Sequence, residues 1–111
     1  MAYSEALAQR IRSEIEGLPG LIEKKMFGGI SFLLNGNMAC GVIGDEMIVR
    51  VGVERHDEAM AYPTTRPFDM TGKPMAGWVV VSSDGLQDEQ EFREWVRWGI
   101  DYASNLPPKS K

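Results

Sequence analysis

"KKMFGGISFLLNGNMACGV", residues 24 to 42, holds a double glycine, an Asn-Gly pair, the only cysteine of the chain and a run of apolar residues. It reads either as a phosphate-gripping or redox site, or as a piece of β-sheet. A phosphate loop needs glycines followed by Lys-Ser/Thr at the start of a helix, so that amides and helix dipole converge on the anion. Here Gly28-Gly29 runs instead into Ile30, Phe32 and Leu34, which alternate as strand residues do. A bulge or close backbone packing is then the role of the glycines. Cys40 lies between Ala39 and Gly41 with no second cysteine, and the only histidine, His56, falls on another element. A nucleophilic thiol needs a lowered pKa and a base within reach, and one Cys with one His is a poor metal ligand set. The stretch is sheet.

Working outward, Met38, Cys40 and Val42 alternate, and so do Met47, Val49 and Val51. Gly44-Asp45 suits a two-residue hairpin that pairs Val42 with Met47, Cys40 with Val49 and Met38 with Val51, all on one face. For the preceding hairpin, a two-residue Asn35-Gly36 loop would pair Phe32 with Ala39. An odd-length loop with a bulge would set Ile30 and Phe32 across from Cys40 and Met38. The odd loop is the expected one, because it gathers the larger side chains on one buried face.

Before this meander, Tyr3, Leu7, Ile11, Ile15 and Leu18 recur every three or four residues, as on an amphipathic helix ended by Gly17 and Pro19. After it, "ERHDEAMA" (54 to 61) reads as a short helix. "YPTTRPFDMTGKPMAG" (62 to 77) reads as a loop around a short strand at Phe68 and Met70. "WVVVS" (78 to 82) is a strand with apolar residues on both faces, hence well covered. A last helix runs from about Asp88 to Ser104, with Phe92, Trp95, Val96, Gly99 and Ala103 as its buried stripe. This order predicts an α+β fold, a two-layer sandwich of an antiparallel sheet with N- and C-terminal helices.

The bulk numbers fit one domain spanning 1–111, with an ordered core over about 3–105 and a flexible tail at 106–111. The composition, 43% hydrophobic and 25% charged, is that of an ordinary globular chain. A net charge of −4 with scattered Lys and Arg argues against direct nucleic-acid binding. No apolar run is long enough to span a membrane, the charged N-terminus is unlike a signal peptide, and the single cysteine suits the cytoplasm.

"KKMFGGISFLLNGNMACGVIGDEMIVRV" resembles the N-terminal domain of the TfoX/Sxy family. The likeness rests on Lys25-Met26-Phe27-Gly28-Gly29, the strand, the Asn-Gly turn, a small-residue strand and the Gly-Asp turn. Arg66-Pro67-Phe68 and the stretch from Trp95 to Ala103 resemble family segments downstream, so the likeness covers roughly residues 5 to 104. It implies a fold like that of type III secretion chaperones, in agreement with the element order. It also implies a stand-alone copy of a domain that, in competence regulators, precedes a helical C-terminal domain. The family brings no catalytic residues.

Two surfaces are candidates for function. Trp98 and Tyr102 widen the apolar arc of the last helix beyond one stripe. They either pack under the long loop or form a contact surface for another chain. Arg50, Arg66 and Lys73 could converge near the loop as an anion site. The expectation is a non-enzymatic interaction or regulatory module without cofactor or metal, whose partner is a protein, a second copy of this chain being one candidate. The alternative is a small-ligand sensor or an unrecognised enzyme using a pocket beside residues 62 to 77.

Overall fold

The computed structural model describes residues 3–26, 29–68 and 76–106. Helix α1 (Glu5–Ile15) opens on Ser4, whose hydroxyl accepts the Leu7 N–H at 3.2 Å. It buries Leu7, Ala8, Ile11 and Ile15, whereas Leu18 lies past its end and is exposed. Four strands then follow as a meander: β1 (Leu21–Met26), β2 (Gly29–Leu34), β3 (Asn37–Ile43) and β4 (Glu46–Arg50). A 3-10 turn (Val53–Arg55) leads into the short α2 (His56–Met60). Strands β5 (Thr65–Pro67) and β6 (Trp78–Val81) complete the sheet, and α3 (Glu89–Ser104) closes the chain.

All six strands pair antiparallel in the order β1-β2-β3-β4-β6-β5. Leu7, Ile11, Phe32, Cys40, Val42, Met47, Val49, Val79, Val81, Phe92, Trp95 and Val96 join in one core between the sheet and the two long helices. The α+β two-layer architecture expected from the sequence is the one observed. Asp88 caps α3 by accepting the Glu91 N–H at 2.9 Å, and the helix buries the five stripe residues named above. Arg10 and Arg93 fasten α1 to α3. Arg10 donates to the Leu86 carbonyl at 3.0 Å and lies 4.1 Å over the Phe92 ring, and Arg93 reaches Glu14 at 3.3 Å.

Three local expectations are corrected. Strand β1 was not anticipated. "LIEKKM" shows only two apolar residues before its charges, which an edge strand tolerates because its outer side faces water. Glu23 of this strand accepts from Arg12 of α1 at 2.7 Å, which ties the edge to the helix layer. The short strand of the long loop lies at Thr65–Pro67, just before the buried Phe68, and Met70 is outside the described residues.

The third correction concerns register. Val42 pairs with Met47 and Cys40 with Val49 as expected. The β2–β3 loop, however, is the two-residue Asn35-Gly36 turn, with φ of 54° and 86°. Leu34 faces Asn37 and Leu33 faces Met38, and then the register shifts so that Phe32 faces Cys40 and Ile30 faces Val42. Ala39 is the extra residue of a bulge. The bulge keeps Cys40 in the helix-side core and sends Met38 to the other face of the sheet. There Met38 packs with Ile48, Phe68 and Val80 rather than with the helix-side core that holds Val51.

Of the two glycines in the opening stretch, Gly28 lies outside the described residues. At Gly29 a Cβ would come within 2.0 Å of the Val42 carbonyl oxygen, so close strand packing accounts for it. Cys40 is fully buried, and burial pushes its thiol up to about 12. Its thiol is expected to resist an aromatic disulfide reagent in the native protein and to react fully in denaturant. Rapid native reaction would contradict this placement.

Candidate functional site

The 3.6-residue period of α3 brings Trp95, Trp98 and Tyr102 to one side of the helix, facing the segment that leaves β4. That segment is clamped at both ends. The N–H groups of Val51 and Gly52 donate to the Gly77 carbonyl at 2.8 and 3.1 Å, and the Gly77 N–H donates to His56 Nδ1 at 3.1 Å. Gly52 turns the chain with φ of 92°, and a Cβ there would lie 2.5 Å from the Tyr102 ring. His56 is thereby a structural acceptor at the start of α2.

This clamp sets Arg55 over α3. Its guanidinium lies 4.2 Å from the Trp98 ring centroid and is held by Glu58, which accepts from Nε at 3.1 Å and Nη2 at 3.0 Å. Trp98 also stacks on Trp95, centroids 5.3 Å apart and planes 5° from parallel. Tyr62 meets Trp95 edge-on at 5.0 Å. Between α2 and α3 lies a cleft of about 270 Å³, walled by these rings and rimmed by Glu91, Glu94, Arg97 and Asp101. None of the four rim side chains forms an ion pair among the described residues. The indole N–H groups of Trp95 and Trp98 are buried and find no acceptor among the described residues. A buried donor left without an acceptor is uncommon in folded proteins and calls for an explanation.

The residues singled out from sequence fall as follows. Trp98 and Tyr102 are both half-buried and lie against the 52–55 segment. Arg50 sits with its guanidinium 5.0 Å from the Trp78 centroid and 5.5 Å from that of Tyr102. Arg66 projects from β5 and pairs with Glu46, at the opposite end of β4 from Arg50. The two arginines are thus held on separate partners, and Lys73 lies outside the described residues. Arg55 was not foreseen. Its only sequence signal is a cation opening a short helix, and the ring it covers is 43 positions away.

The family model of the TfoX N-terminal domain matches residues 14–103, from the last turn of α1 to the last turn of α3. No curated protein and no solved structure matches the chain. The matched span takes in the whole sheet, the α2 clamp and the aromatic side of α3. The chain belongs to the TfoX N-terminal domain family.

Proposed function

We propose that this chain is a non-enzymatic interaction module, which holds a partner protein on the aromatic edge of α3 at Trp98 and Tyr102. The observation that carries this reading is the cleft beside Trp98, where stacked rings lie beside an open rim of charges. Tryptophan and tyrosine next to a small cleft are the usual anchors of protein interfaces. At about 270 Å³ the cleft falls below the roughly 300–1,000 Å³ of pockets that enclose small ligands. It has room for side chains of a partner. The single thiol is buried with a raised pKa, so it does not favour an enzyme with a cysteine nucleophile. A regulatory role in the cytoplasm, akin to that of the family's competence regulators, belongs to the same reading.

Capture from the native cells, with Trp98→Ala beside wild type, tests it. Trp98 is half-buried, so the variant should stay folded by circular dichroism, at a cost of about 1–2 kcal/mol. A partner held by wild type and lost by the folded variant is the expected result. Equal capture by both would overturn the assignment to α3.

A further inference from the structure

Arg50 stands apart from the other arginines. Arg10, Arg12, Arg55, Arg66 and Arg93 each pair with a carboxylate. Arg97 has no ion pair among the described residues, but it is exposed and shares the rim of the α2–α3 cleft with Glu94 and Asp101. Arg50 is half-buried at the end of β4, and among the described residues its side chain has neither an ion pair nor a hydrogen bond. Its guanidinium lies over the rings of Trp78 and Tyr102, at 5.0 and 5.5 Å from their centroids. The rings attract the charge but offer no oxygen to its five N–H donors. A cation partly withdrawn from water normally has a counter-ion. The rings also hold the planar fork in place, so little side-chain freedom is left to lose on binding.

The Tyr102 ring is also one wall of a second cleft, of about 320 Å³, lined by Val51, Gly52, Val53, Glu54 and Arg55. Val53 is 67% exposed and offers an apolar contact. Glu54 has no ion pair among the described residues and repels a second negative charge. One carboxylate beside an apolar side chain meets both conditions. A polyanion such as nucleic acid would meet Glu54 and the net charge of −4. We infer that Arg50 receives a carboxylate of a partner protein, a Glu or Asp side chain flanked by an apolar residue. The carboxylate accepts two parallel hydrogen bonds from the guanidinium, and the apolar neighbour rests on Tyr102 and Val53. Trp, Tyr and Arg are the residue types that dominate interface energies, and all three meet here. This deepens the interaction-module reading and rests on it, since Tyr102 belongs to both surfaces.

The test is an NMR titration of the full ¹⁵N-labelled chain. The probes are the capped peptide Gly-Leu-Glu-Leu-Gly, its counterpart with glutamine in place of glutamate, and inorganic phosphate. The Arg50 Nε–H and Trp78 indole signals should move and saturate with the glutamate peptide, while the Nε–H signals of Arg66 and Arg97 stay. Arg50→Gln should weaken binding about tenfold, and Arg50→Lys, which keeps the charge without the fork, should fall between the two. Arg66→Gln should bind as wild type does. A static Arg50 signal at millimolar glutamate peptide would overturn the inference, as would equal shifts with the glutamine peptide. Saturation by phosphate as tight as by the glutamate peptide would also overturn it, because any anion would then do. If Arg50 stays still while Trp98→Ala still loses a captured partner, the carboxylate chemistry falls and the α3 surface stands. If capture is also unchanged, both fall.

Discussion

Replacing Trp95 with alanine is expected to cost about 3–5 kcal/mol of folding stability, the range for emptying a large aromatic site in a core. The side chain is 2% exposed and is wedged between Trp98, Tyr62 and the strands beneath. Domains of this size have about 5–15 kcal/mol in total, so the loss takes a large share. Each kcal/mol lowers Tm by about 4–8 °C, which makes the drop easy to read in a thermal melt. Trp95→Phe separates packing from polarity. It keeps a ring in the site and removes the N–H that has no acceptor, so its cost should be less than half that of alanine. A mild Trp95→Ala would mean that α3 is not seated on the sheet as described.

The second large effect is at Gly99, where two tendencies oppose each other. In a helix interior alanine is favoured over glycine by about 0.8–1.0 kcal/mol. At Gly99, however, the added Cβ would lie 2.4 Å from the carbonyl oxygen of Ala39, a backbone atom that cannot step aside. The helix would have to lift off the sheet, and strain of this kind typically costs about 1–3 kcal/mol. Gly99→Ala should therefore destabilise, with a lower denaturation midpoint and a changed near-ultraviolet dichroism as the Trp95–Trp98 stack shifts. A gain in stability would show that α3 stands off the β3 bulge.

Where the sequence could be read and where it could not follows from the range of the interactions involved. Gly44-Asp45 and the alternation on either side set the β3–β4 pairing, because turn and pattern agree within one hairpin. The α3 stripe was equally plain, since five apolar positions at helical spacing admit one face. Met38 was placed on the wrong face because the bulge at Ala39 answers to a helix 60 positions further on. Nothing local to β3 distinguishes a shifted register from an odd loop. Strand β1 escaped notice because its charges are those of an edge, where packing does not dictate composition.

The same division runs through the candidate site. Trp98 and Tyr102 stood out by widening the apolar arc. Arg55 and Glu58, which complete the cleft, are ordinary surface residues until α2 folds over α3. Arg66, a candidate anion ligand from the sequence, is engaged with Glu46, a contact set by strand order rather than by spacing.

The assignment of function to the aromatic edge of α3 is tested most directly by photo-cross-linking in the native cells. A benzoyl-phenylalanine is placed at position 98 in one strain and at position 66, on the β5 edge, in another. The expected result is a discrete higher-mass adduct from position 98 and none from position 66. An adduct from position 66 alone, or no adduct from either, would contradict the proposed contact surface.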